Sequence, residues 1–131
     1  MSDEASDAPV REVLLRVFVP PERFAATIRF YEGVFGRGAS LRFAYPERRL
    51  ELASVGSGNG SVLIIAGTEA DLGPFKATVA TFHVRSLAAA RSAVEAAGGE
   101  VIEAPKRVPT GTNMRVRHPD GSVVEYVEHH H

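Results

Sequence analysis

The sequence predicts an α+β fold: two βαβββ modules forming a curved mixed sheet around a cavity. Three observations predict it. Short runs of β-branched and aromatic residues, one helical periodicity and a set of turn signals follow in the same order in each half of the chain. The two periodic stretches sit at matching offsets from the first strands, Val19 leading into one and Val84 into the other. Residues 68–76, between the halves, carry Glu, Asp, Gly and Pro and read as a linker. Two copies of one grammar make an internal repeat. In each half one sheet face takes the helix, and the other must meet its counterpart, so the halves enclose a cavity.

In chain order, residues 1–11 are polar and read as a loose arm. The first module is expected over 12–67. Val13–Val19 is a strand with Leu15, Val17 and Val19 on one face and Leu14, Arg16 and Phe18 on the other. Pro20-Pro21 stops it, and Pro21-Glu22 suits a helix start. Phe24, Ile28, Tyr31 and Phe35 then mark one helical face, ended by Gly36 and Gly38. Strands follow at Ala39–Tyr45, Arg49–Val55 and Val62–Ala66, with turns at Pro46–Arg48 and Gly56–Gly60.

The second module is expected over 77–128. Ala77–Val84 is a strand with Ala80, Phe82 and Val84 on one face and Val79, Thr81 and His83 on the other. Ser86 is a good N-cap, and Leu87, Ala90, Val94 and Ala97 give a helical face ended by Gly98-Gly99. Three strands complete it, Glu100–Ala104, Asn113–Arg117 and Ser122–Val127, split by Pro105, the Pro109–Gly111 turn and Pro119-Asp120-Gly121. His129, His130 and His131 read as a tag remnant, with Glu128 a possible part of it.

Composition excludes several function classes. The 131 residues suit one domain or two half-domains sharing a core. With no Cys there is no disulfide, thiolate metal site or Cys nucleophile, which fits a reducing cytoplasm. A formal charge of −1 gives no nucleic-acid footprint. No apolar run approaches the ~20 residues that span a bilayer, so no membrane is expected. The acidic N-terminus lacks an apolar signal-peptide core. No Gly-x-Ser-x-Gly elbow occurs, and Gly56–Gly60 lacks the Lys and helix of a phosphate loop.

The one conspicuous residue is Glu125, a carboxylate between Val123 and Val127 on a strand face. Either that face is wet, or Glu125 lines a cavity.

Two motifs carry a family likeness. Arg29-Phe30-Tyr31-Glu32-Gly33-Val34-Phe35-Gly36 is similar to a Phe-Tyr-x-x-x-x-Gly helix end, and His118-Pro119-Asp120-Gly121-Ser122-Val123-Val124-Glu125 to an Asp-Pro-Asp-Gly-x-x-x-Glu element. With Ala80–Leu87 as the strand opening a second module, the chain over about 13–127 resembles the vicinal oxygen chelate superfamily. That superfamily includes glyoxalase I, bleomycin-resistance proteins and extradiol dioxygenases. Its metal enzymes hold a divalent ion through His, Gln or Glu on the inward faces of the first, fourth, fifth and eighth strands. The resemblance places those positions on or beside Leu14, near Ile64 or Ile65, on Val79 and on Glu125. Three of the four are aliphatic, so no metal and no cofactor is expected. The resemblance also implies a homodimer.

These readings lead to a protein that binds a small aromatic or amphipathic molecule in an apolar cavity without the family's metal. The candidate ligand-binding residues are Arg16, Phe18, Phe43, Val79, Thr81, His83 and Glu125. Arg16 offers a planar fork for a ligand carboxylate or for Glu125. His83 is a proton shuttle or a structural His, and Glu125 an acceptor, a general base or the partner of an Arg. Phe18, Phe43, Tyr45 and Met114 form an aromatic or soft wall, or simply core. His118 is structural. The alternative is a metal-independent isomerase, lyase or cyclase with Glu125 or His83 as catalytic base.

Overall fold

A computed structural model describes residues 8–57 and 60–130. Eight strands and three α-helices are formed among them. The chain divides into two compact units, Leu14–Val79 and a second that takes the start of β1, before Leu14, with the chain from Ala80 on. Each unit is a βαβββ module, as the repeat predicted.

In the first unit β1 (Val10–Val19) leads through a single 3-10 turn, Pro21–Arg23, into α1 (Phe24–Phe35). The strands β2 (Leu41–Tyr45), β3 (Leu50–Ser57) and β4 (Gly60–Ala66) follow. They lie in the order β2-β3-β4-β1, antiparallel except for the parallel β1–β4 pair. Helix α1 ends where Gly36 takes a left-handed φ of 73°, a conformation open to glycine without a Cβ clash. Its Phe24 and Ile28 bury against Ala53, Val55, Val62, Ile64 and Ala66.

The opposite, helix-free face of this unit is just as apolar. Leu14, Leu50, Leu52, Leu63 and Ile65 form a second buried cluster. Leu72 joins it from residues 68–76, which the sequence presented only as a linker. That segment contains a short helix α2 (Glu69–Leu72), capped by the Thr68 hydroxyl on Asp71 N, and then a 3-10 turn, Gly73–Phe75. Arg49 clamps it by donating from Nε and Nη2 to Asp71 Oδ1 at 3.0 and 2.6 Å. Burial of Leu72 outweighs the polar, Gly- and Pro-bearing composition that suggested a passive connector.

The second unit holds β5 (Thr78–Val84, from Ala80 on), α3 (Leu87–Ala96), β6 (Glu100–Val108), β7 (Gly111–Arg117) and β8 (Val123–His129). Their order is β5-β8-β7-β6. Leu87 and Ala90 of α3 pack on Ala80, Val84, Met114, Val116, Val124 and Tyr126. Ser86 caps α3 through its hydroxyl on Ala89 N, as predicted, but Ala97 is exposed and lies just past the helix.

Three boundaries differ from the sequence reading. β1 starts at Val10, because Val10 packs on the second unit's core. β6 runs through Pro105 to Val108: it is an edge strand, where a missing N–H is tolerated, and its register shifts between Glu103 and Lys106. β8 runs on to His129, so the strand passes beyond the point where a tag was expected to begin. Glu128 in particular is part of the fold, its Oε1 accepting from Leu87 N at 2.7 Å at the start of α3. The Gly56–Gly60 connection pairs Gly56 with Ser61 at its base, and its tip at 58 and 59 lies outside the described residues.

Candidate functional site

The predicted turn at His118–Ser122 positions Glu125. Gly121 N donates to His118 O at 2.8 Å with Gly121 at φ 92°, and Asp120 Oδ1 accepts from Ser122 N and Oγ. Those bonds hold the Asp120 carboxyl below its ordinary value, the Ser122 hydroxyl contributing most. Strand β8 then alternates. Val124 and Tyr126 enter the core under α3, which leaves Glu125 on the helix-free face. Tyr126 meets His118 Nε2 at 2.7 Å with Phe82 against both rings, so His118 closes the core side of the turn. Burial pushes the Tyr126 phenol above its ordinary value.

On the helix-free face Glu125 is half-buried and doubly held. Thr81 Oγ1 donates to its Oε1 at 2.9 Å, and Asn113 Nδ2 donates to its Oε2. Thr81 and Asn113 are 4% and 7% exposed, so both donors approach from a nearly dry position. Next to them on β7, Arg115 donates from Nη2 to Glu103 Oε2 at 2.9 Å. Burial raises the Glu103 carboxyl, but the hydrogen bond and charge of Arg115, helped by Lys106, outweigh it and hold the group below its ordinary value.

Asn113 was not among the residues singled out from the sequence. The signal was present: Asn113, Arg115 and Arg117 alternate with Met114 and Val116, so they share the polar face. What was missing was the register that sets Asn113 opposite Val127 and brings it within reach of Glu125.

The seven candidate residues divide between the units. Thr81, His83 and Glu125 belong to the second, where Thr81 and Glu125 meet directly. The His83 ring stacks on His129, centroids 4.0 Å apart. Arg16, Phe18, Phe43 and Val79 belong to the first. Phe18 and Phe43, with Tyr45, pack on its helix-free leucine cluster, and Arg16 sits across from Leu63 on the same face. Val79 is 53% exposed. Phe43 also borders an open groove of about 240 Å³ with Phe24, Arg42, Ala44 and Glu51. Met114 is no part of a wall: it is fully buried beneath α3.

Residues 13–126 match the family model of the Glyoxalase/Bleomycin resistance protein/Dioxygenase superfamily. The chain belongs to that superfamily. A structure described as an uncharacterized, hypothetical protein from Methanosarcina mazei is 41% identical over 94% of this chain and 95% of that one, with a TM-score of 0.80. Methylmalonyl-CoA epimerase from Mycobacterium tuberculosis is 15% identical over 95% and 92%, with a TM-score of 0.67. A Streptomyces coelicolor methylmalonyl-CoA epimerase variant in complex with 2-nitronate-propionyl-CoA is 18% identical over 95% and 100%, with a TM-score of 0.65. At those identities the two epimerases share the fold. No curated protein matches the chain.

The glyoxalase superfamily's divalent ion can be tested against the residues present. Leu14 and Ile65 are buried in one apolar cluster, and neither they nor Val79 carries a donor atom. Ile64, the other candidate on β4, faces α1. Glu125 already accepts a hydrogen bond on each oxygen. A divalent ion needs several N or O donors, and these residues do not fit one. Among the described residues no group of three or more His, Asp or Glu side chains is placed to hold a metal, and no helix is long and apolar enough to cross a membrane.

Proposed function

We propose that the protein is a metal-independent member of its superfamily that binds a small aromatic or amphipathic organic molecule, fixed at the Glu125 group. The observation that carries this reading is the state of the Glu125 carboxylate. At the position where metal enzymes of the family place a ligand, two protein donors, Thr81 and Asn113, stand in for the ion. A carboxylate oxygen has two lone pairs, so each retains acceptor capacity beyond these bonds. A half-buried, oriented acceptor on a strand face is the kind of sparse polar fixing that small-molecule sites use. The same proposal takes the protein as a cytoplasmic homodimer, which sedimentation velocity checks for the assembly.

A thermal-shift screen of aromatic and amphipathic natural products tests the binding role, since a ligand of the native state raises stability. Stabilisers that weaken at least about tenfold in Glu125→Ala support the reading. Stabilisers indifferent to that substitution, or none at all, overturn it. A stabiliser recovered chemically altered would move the protein to a metal-independent isomerase, lyase or cyclase, with Glu125 or His83 as the base to be tested.

A further inference from the structure

We infer that a second copy of this chain docks on the outer flank of α1, helix against helix, across a two-fold axis at Phe30. This rests on the homodimer proposed above and names its contact face. Helix α1 is apolar nearly all round. Phe24, Ile28, Tyr31 and Phe35 turn to the sheet, and its two charged residues, Arg29 and Glu32, share one flank. That flank lies on the β2 side. Glu32 Oε2 accepts from Ala39 N just before β2, and the Arg42 guanidinium on β2 lies over the Phe24 ring. The opposite flank holds Ala26, Thr27, Phe30, Gly33 and Val34, with no charge among them. Phe30 is 62% and Val34 63% exposed, and a Cβ added at Gly33 would meet nothing within 4 Å. This flank points toward β1, at the other end of the order β2-β3-β4-β1. There Leu15 is 60% exposed on the same sheet face as Val17 and Val19, which pack under α1. Helix α3 contrasts with it, carrying Ser92 and the Arg91–Glu95 ion pair on its outer side.

A helix that is apolar on both its inner and outer sides is a helix covered from both sides. Phe30, Val34 and Leu15 alone offer roughly 300 Å² of apolar surface, the centre of an interface that takes about 800 Å² from each partner. The spacing of the stripe selects the occupant. Positions 26, 27, 30, 33 and 34 are symmetric about 30. An antiparallel copy of α1 therefore sets Val34 on Ala26, Gly33 on Thr27, and Phe30 on Phe30. Large meets small at each step away from the axis, which lets two helices approach to the usual 8–10 Å. The two-fold makes every off-axis contact twice and closes the assembly at two copies. Arg29 and Glu32 stay on the far flank, so no charge of α1 is buried at the centre.

Sedimentation velocity of the full chain from about 1 µM to 1 mM tests this. The wild type should dimerise. Phe30→Glu and Val34→Glu, both at exposed positions, should each weaken the dimer at least about a hundredfold, since every new charge enters the apolar centre twice. Ser92→Glu, on the outer side of α3, should leave it within about twofold. A second measurement uses the absence of Cys from the sequence. Phe30→Cys then carries the sole thiol, and the two-fold brings two such thiols together. Mild oxidation should link that variant into a covalent dimer much faster than Ser92→Cys. Should the Glu variants not fold, the crosslinking decides. A dimer of unchanged affinity in both Glu variants, or equal crosslinking at positions 30 and 92, would overturn this face while leaving the homodimer standing. A wild type that stays monomeric to about 1 mM would overturn the homodimer, and this inference with it.

Discussion

Thr81 and Glu125, 44 positions apart in sequence, are joined by a 2.9 Å hydrogen bond from Thr81 Oγ1 to Glu125 Oε1. Removing it without changing shape isolates its contribution. Thr81→Val should cost about 1 kcal/mol, less than a buried bond to a charged group contributes, because Glu125 is half-exposed. For a chain of this length that lowers the Tm by about 4 °C. An unchanged melting curve would show that the carboxylate finds an equal partner elsewhere.

Glu128 is expected to behave as a structural residue. It sits on the N-terminal N–H of α3 at Leu87, which the Ser86 hydroxyl does not reach. Glu128→Ala should cost about 1 kcal/mol, a typical value for a lost helix cap, with faster hydrogen exchange at the Leu87 amide. Exchange unchanged at Leu87 would remove the capping role.

Two glycines should respond very differently to Ala. Gly36 has φ 73° but open space around it, so Gly36→Ala meets only backbone strain, about 1 kcal/mol. At Gly111 a Cβ would lie 2.0 Å from the Glu128 carbonyl oxygen. Strands β7 and β8 would have to separate there, and Gly111→Ala should cost about 3 kcal/mol or more. Urea denaturation of the two variants compares them directly, and equal midpoints would contradict the close approach.

Acid should weaken the β6–β7 pair through Glu103. Burial raises that carboxyl, but Arg115 and Lys106 outweigh it, so the folded value lies below the ordinary 4.5. A carboxyl depressed on folding stabilises fully above its unfolded value, and the contribution disappears as pH falls through the folded one. Asp71, depressed by the Arg49 hydrogen bond and then by Thr68, acts in the same direction from below 3.8. The urea midpoint of the wild type should exceed that of Glu103→Gln at pH 6 and converge on it as pH falls below 4.5. A gap independent of pH would mean that charge is not what Glu103 contributes.

Zinc, nickel and manganese should not bind at Glu125, since the residues at the family's other ligand positions, Leu14, Ile64 or Ile65 and Val79, carry no side-chain donors. Calorimetry on protein lacking residues 129–131 checks this. One equivalent of metal, lost in Glu125→Ala, would reverse the assignment and with it the proposed function.

The sequence by itself determined the elements and the faces. Val124 and Tyr126 against Glu125, or Ala80 and Val84 against Thr81, are separated by alternation along a single strand. Gly36 and the Pro119-Asp120-Gly121 turn are equally local, set by which residue tolerates which φ. Only the tertiary structure decided who meets whom. The composition of residues 68–76 suggested a spacer, and burial of Leu72 made them a folded cap. Asn113 was one polar residue at a strand start until the β7–β8 register brought it to Glu125 from 12 positions away. Pairing across strands depends on where two distant segments are held, and neighbours along one segment carry no record of that.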